Sequence, residues 1–133
     1  MKTITVCGSG KFKSYIIEVC DALSGAGLLV LRPPLHDMEF ASRLTEEQCL
    51  LAWKGATLAH IQRVAIGDIC LLINRDGYLG VGTTLELGCA VALRKLVVSL
   101  RLDPEAARNS LINFVLGTED VPDLVSKMVE IAR

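Results

Sequence analysis

The sequence predicts an α/β fold, a doubly wound five-stranded parallel sheet with helices on both faces. Three observations point to it. Short strand-like runs alternate with helix-periodic segments along all 133 residues. The run Ile69-Cys70-Leu71-Leu72-Ile73 has no polar break, as a strand buried on both faces requires. Glycine-rich turns follow the first and third strand-like runs, at Gly8-Ser9-Gly10 and between Asp76 and Gly82.

Each element has its own local warrant. Residues 3–7 are a β-branched run closed by Gly8-Ser9-Gly10, giving a buried first strand. Residues 14–23 set Ile16, Val19, Cys20 and Leu23 on one helical face, with Gly25 and Gly27 ending the helix. The second strand, 28–31, is stopped by Pro33-Pro34, and the loop 35–43 carries His36, Asp37, Glu39 and Phe40. Thr45, followed by Glu46 and Glu47, caps a long helix to about Ile66 with an interruption expected near Gly55. Asp68 opens the third strand, 69–73. A third helix is expected over 83–94, a fourth strand over 96–100, a short helix over 104–110 and a fifth strand over 112–116. The last helix, 121–132, places Leu124, Val125, Met128 and Val129 on one face. Right-handed crossovers then give the flavodoxin-like order 2-1-3-4-5, whose crevice opens at the carboxyl ends of strands one and three. Both glycine-rich turns fall there.

The length fits a single domain, 1–133. Hydrophobic residues make up 51%, yet no apolar run approaches the roughly 20 residues of a membrane span, and 1–8 are too short for a signal-peptide core. Five cysteines, an odd number without a Cys-x-x-Cys pair, read as reduced, buried thiols in a cytoplasmic protein, with Cys89 near enough to Glu86 in sequence to approach a site. A net charge of −1 offers no footprint for a nucleic acid polymer, although a small anion can still be held locally. No Cys/His or carboxylate cluster has metal-ligand spacing, so neither a metal nor a cofactor is expected.

The chemistry-bearing candidates lie on the two turns. Gly8, Ser9, Gly10 and Lys11, with a helix beginning shortly afterwards, form a candidate phosphate cradle that is neither a Walker A motif nor a dinucleotide fingerprint. In the second turn, Gly80 and Gly82 permit close backbone approach, Thr83 and Thr84 offer hydroxyls, and Glu86 falls in the first helical turn, facing whatever binds. Thr83-Thr84-Leu85-Glu86 equally fits a capping box, in which Glu86 bonds back to the Thr83 amide. Asp76-Gly77 suits a turn or a ligand contact, and Tyr78 suits stacking on a ribose or base.

Together, Gly8-Ser9-Gly10, the segment Gly67 to Asn74, Asp76-Gly77-Tyr78-Leu79-Gly80 and Thr84-Leu85-Glu86-Leu87-Gly88-Cys89-Ala90 resemble the nucleoside 2-deoxyribosyltransferase superfamily, which includes nucleoside 5′-monophosphate N-glycosidases. The resemblance covers roughly the first three-quarters of the chain. It implies a flavodoxin-like fold, a glutamate nucleophile at Glu86, and homodimers that complete each site with a polar residue from the neighbour, for which Asn109 and Asn113 are candidates. The superfamily's helper aspartate falls at His60, a departure that leaves the histidine as acid, base or a donor holding Glu86. A second departure is the loop before Thr83, which has no match for a phosphate-contacting serine. Gly80-Val81-Gly82-Thr83-Thr84-Leu85-Glu86 also resembles the Gly-x-Gly-Thr-x-x-Glu of cytokinin-activating phosphoribohydrolases. The expected activity is cleavage or exchange of an N-glycosidic bond in a nucleoside or its 5′-monophosphate, hydrolysis being favoured over transfer. The loop from 35 to 43 is assigned to base selection. A non-catalytic nucleotide-binding or sensing module of the same fold is the alternative, and a structural subunit in which Glu86 only caps its helix is a third.

Overall fold

The computed structural model describes residues 1–35 and 41–133. Five parallel strands, β1 (Thr3–Gly8), β2 (Leu29–Leu31), β3 (Ile69–Ile73), β4 (Leu96–Ser99) and β5 (Phe114–Val115), lie in the order β2-β1-β3-β4-β5. This is the flavodoxin-like arrangement. The helices are α1 (Lys13–Gly25), α2 (Glu46–Ile66), α3 (Val81–Ala92), the one-turn α4 (Ala106–Asn109) and α5 (Val121–Ala132). Single 3₁₀ turns at Gly10–Phe12 and Arg75–Gly77 follow β1 and β3. Among the described residues no helix is long and apolar enough to cross a membrane.

The pleat of the central strands divides the core. Ile69, Leu71 and Ile73 of β3, with Ile4 and Val6 of β1, pack against Ile16, Val19 and Leu23 of α1 and Leu124 and Met128 of α5. Cys70 and Leu72, with Cys7, face the other side, where Val64 of α2 and Leu87 and Ala90 of α3 cover them. All five β3 residues are buried. Burial of each such side chain stabilises the fold by about 1.5–3 kcal/mol. Cys7 therefore ends on the α2/α3 side of the sheet, at the strand's carboxyl end.

Several boundaries differ from the sequence reading. The helix α2 runs unbroken through Gly55; a mid-helix glycine costs only about 1 kcal/mol, and Thr45 and Gln48 close a full capping box at its start. The strand β5 shrinks to two residues because Asn113 Oδ1, a side-chain atom, accepts the Val97 amide at 2.8 Å in place of a strand carbonyl. Most consequential is α3, which begins at Val81 rather than Thr83: Gly80 takes the extended cap conformation and its carbonyl already accepts the Thr84 amide at 2.9 Å. Glu86 consequently sits in the second turn, and the Thr83–Glu86 capping box does not form.

Candidate active site

Three elements converge where the strand order reverses. β1 delivers Cys7, α2 delivers His60 from its second-to-last turn, and the second turn of α3 delivers Glu86. Cys7 Sγ lies 3.4 Å from His60 Nε2, and His60 Nε2 lies 3.8 Å from Glu86 Oε2. Cys7 is fully buried and His60 is 1% exposed, whereas the Glu86 side chain keeps 15% exposure towards the cleft. Glu86 Oε2 itself is buried and has no hydrogen-bond partner, and the same holds for His60 Nδ1.

Burial dominates the electrostatics of this floor. It pushes the Glu86 carboxyl up to about 7, against a smaller opposing pull from the Cys7 thiol. It pushes His60 down to about 4, reinforced by the nearby Arg63 charge and opposed by the backbone of Val6. The Cys7 thiol is raised well above its ordinary range, first by its hydrogen bond with Cys70 and then by burial. Near neutrality the imidazole is uncharged and the carboxyl populates both of its forms. The apolar sheet end that buries these groups, together with α2 and α3, is thus the cause of their shifted protonation.

Above the floor opens a cleft of about 610 Å³. Gly8, Ser9, Gly10 and Lys11 line one end, together with Tyr78, Gly80, Gly82 and Thr83. Gly8 is needed where it stands: a Cβ there would meet Ile16 Cδ1 at 2.9 Å and Ile73 Cβ at 3.0 Å. Ser9 Oγ caps the 3₁₀ turn by accepting the Lys11 amide at 3.2 Å. Lys11 Nζ stands 4.3 Å from the Tyr78 ring centroid and 5.7 Å from that of Phe12, and among the described residues no carboxylate pairs with it. The opening amides of α3 have no side-chain cap and belong to the same wall, so an anion would meet both a lysine and a helix start.

On the opposite wall only His60 is expected from the sequence. Trp53, Ala56, Thr57 and His60 of α2, spaced i, i+3, i+4 and i+7, face the cleft, and Pro33 and Pro34 close it from β2. The helical spacing back from His60 was the available signal. Other expected site residues lie elsewhere. Asp76 is in the left-handed region (φ 56°), faces Arg101 at 3.8 Å and lines a separate open cavity of about 780 Å³ with Arg101 and Glu119, so it acts as a turn residue and not as a wall of the Glu86 cleft. Thr84 turns its hydroxyl back onto the Gly80 carbonyl at 2.8 Å. Cys89 packs against the α2/α3 core and is not part of the cleft lining. Asn109 and Asn113 use their Oδ1 atoms on the backbone amides of Asp103 and Val97 within the chain. His36, Asp37, Glu39 and Phe40, assigned to base selection, lie outside the described residues. Sequence spacing gave no metal pattern, yet folding gathers Cys7, His60 and Glu86 with one ligand atom each inside 4.8 Å.

Comparison with solved structures places this architecture. A 2-deoxyribosyltransferase from the psychrotolerant bacterium Bacillus psychrosaccharolyticus superposes with a TM-score of 0.63 over 92% of this chain and 90% of its own, at 18% identity. The chain shares that structure's fold. Two further structures share it: the Clostridium botulinum CMP N-glycosidase BcmB, with a TM-score of 0.58, 15% identity and coverage of 98% and 99%, and a conserved protein from Enterococcus faecalis V583, with a TM-score of 0.62, 16% identity and the same coverage. No protein-family model matches the sequence, and no curated protein does.

Proposed function

We propose that this chain hydrolyses the N-glycosidic bond of a nucleoside or nucleoside 5′-monophosphate, with Glu86 as the nucleophile. The observation that carries the proposal is the position of Glu86: its carboxyl lies at the floor of an open cleft at the switch point, with one oxygen unpartnered and a lysine and a helix start at the cleft's far end. The 2-deoxyribosyltransferase and the CMP N-glycosidase that share the fold act, by their names, on bonds of this kind.

In the first step a Glu86 oxygen attacks the anomeric carbon as the bond to the base breaks, the bonding pair leaving with the base. Water then attacks the same carbon, the ester bond breaks to restore the carboxylate, and the proton released from water balances the departed base. The ionised form of Glu86 attacks, and the cationic character of the sugar in the transition state favours that form. His60, neutral near pH 7, supplies a polar edge that positions Glu86 rather than a proton for the base. Ser9, Gly10, Lys11 and the α3 start with Thr83 hold the 5′-phosphate, and Tyr78 flanks the sugar. The working form we propose is a homodimer, with the second copy packed on α2.

The test is base release from a panel of nucleosides, deoxynucleosides and their monophosphates, run with a chelator present. Wild type is expected to liberate free base, and Glu86→Gln to lose activity on the order of 10³-fold or more, as the loss of a nucleophile does. Equal rates for both proteins would overturn the assignment. Ligand binding by calorimetry without any base release would instead support a binding or sensing module, the reading that a neutral His60 in the helper position favours.

A further inference from the structure

The floor of the cleft holds a combination that glycosidic cleavage does not require: a thiol, an imidazole nitrogen and a carboxylate oxygen directed at one point. We propose that Cys7 Sγ, His60 Nε2 and Glu86 Oε2 form a three-ligand site for a single divalent transition-metal ion of the zinc type, with its fourth position open to the cleft. The inference rests on the site's geometry and stands apart from the cleavage reaction.

Distance is the first argument. Bond lengths of about 2.3 Å to sulfur and about 2.0–2.2 Å to nitrogen and oxygen, at tetrahedral angles, set ligand atoms about 3.3–3.6 Å apart. Cys7 Sγ and His60 Nε2 are 3.4 Å apart, His60 Nε2 and Glu86 Oε2 are 3.8 Å apart, and all three atoms lie within 4.8 Å of one another. Glu86, the most exposed of the three, has at most about 1 Å to close to complete the arrangement. The second argument is the unsatisfied oxygen. Glu86 Oε2 is buried without a partner, an unfavourable condition that a metal ion would relieve.

Charge and ligand chemistry narrow the ion. A thiolate, a carboxylate and a neutral imidazole carry two negative charges, so a divalent ion leaves a neutral centre in an apolar pocket. Sulfur and nitrogen ligands select zinc-type ions over magnesium or calcium, which prefer all-oxygen shells. Cys70, whose Sγ donates to Cys7 Sγ at 3.5 Å, is placed to support the thiolate from behind. On binding, the Cys7 S–H bond breaks and its proton passes to solvent, as does the proton of any Glu86 that carries one. The three ligands come from three separate elements, and two of them, His60 and Glu86, line the cleft. A metal here occupies the Glu86 oxygen, so it blocks nucleophilic attack: zinc is expected to inhibit the proposed hydrolysis, and a chelator to restore it.

Cobalt(II) is the probe. Chelator-treated protein titrated with cobalt is expected to develop the intense visible bands of a tetrahedral centre and a thiolate-to-cobalt absorption in the near ultraviolet, saturating at one ion per chain and erased by zinc. Cys7→Ser should abolish the thiolate absorption. Glu86→Gln should weaken cobalt affinity about tenfold or more. Cys49→Ser, which alters a thiol far along α2, should leave both signals intact, and circular dichroism establishes that each variant is folded. Absence of tetrahedral bands at millimolar cobalt, or an unchanged spectrum in folded Cys7→Ser, would overturn the site. Because these spectra need no turnover, cobalt binding without base release sinks only the glycosidase reading, and base release without cobalt binding sinks only this one.

Discussion

If the proposed function holds, Lys11 is the residue that would distinguish a nucleoside from its 5′-monophosphate. Its ammonium rests on the Tyr78 ring at 4.3 Å, and among the described residues no carboxylate pairs with it. Lys11→Ala is therefore expected to raise KM for a monophosphate about tenfold, the value of one charge-assisted hydrogen bond, with kcat and the kinetics of the unphosphorylated nucleoside unchanged. Equal losses on both substrates would place Lys11 in the support of the fold instead. Tyr15 makes a prediction about pH. Its hydroxyl donates to the Glu119 carbonyl at 2.7 Å, and burial pushes its pKa up to about 12, against the pull of the Arg75 guanidinium over its ring. The unfolded phenol titrates near 10, so from about pH 10 to 12 the unfolded chain has lost a proton that the native chain keeps, and stability falls as pH rises through that window. Tyr15→Phe starts lower, by about 1 kcal/mol for the lost hydrogen bond, but should lose less between about pH 9 and about pH 11 in urea unfolding. Parallel declines in the two proteins would mean that other groups carry the alkaline loss.

Beyond single side chains, the site depends on how β3 and β4 end. Asn74, fully buried just past β3, accepts the amides of Leu100 and Arg101 at 3.0 and 3.2 Å and donates to the Arg101 carbonyl at 2.9 Å. It clamps the two strand ends together and fixes the start of the turn that carries Tyr78 and Gly80 into the cleft. Asn74→Ala leaves those buried amides unsatisfied and should cost about 2–4 kcal/mol by urea unfolding, with a rise in KM; a loss under half a unit would mean that water replaces the clamp. The burial of β3 and the Thr45 cap are legible in sequence because each is written locally, in an unbroken apolar stretch and a threonine followed by two acids, and the strand order follows from the strand-helix alternation and right-handed crossovers. The α3 start is not, because Thr-x-x-Glu and a preceding extended glycine are both good helix openings, and only the packed structure chooses Gly80. That choice moves Glu86 one turn along the helix and turns a capping candidate into a cleft residue. The α2 wall is hidden for a different reason: Trp53, Ala56, Thr57 and His60 mix an aromatic, a methyl, a hydroxyl and an imidazole, so their shared face shows no apolar period. The convergence of Cys7, His60 and Glu86 is likewise invisible to spacing, since they are 53 and 26 residues apart and meet only through the crossover connections.

The molecule as a whole leaves α2 underused. It is 21 residues long, yet His60 and Val64 are its only buried residues, and Leu50, Leu51 and Leu58 are each more than half exposed. Leu51 and Leu58, at positions i and i+7, share a face opposite the one that lines the cleft, and Leu50 lies at the border between the two. A helix that covers a sheet with one narrow stripe and shows solvent a second apolar stripe is shaped for a further contact. In the proposed homodimer a second copy of the chain would cover that face, a two-fold axis setting each α2 against its own counterpart and pairing the leucine stripes. Light scattering is expected to give a mass twice that of one chain at micromolar concentration. Leu51→Glu with Leu58→Glu, which places like charges on both sides of the axis, should halve that mass while the circular dichroism stays native. A wild-type protein that is monomeric, or a double variant that stays dimeric, would remove α2 from the interface. Because the opposite face of the same helix carries Trp53, Thr57 and His60, a monomeric variant should also show a raised KM, as α2 loses the support that holds its cleft-facing side chains in place.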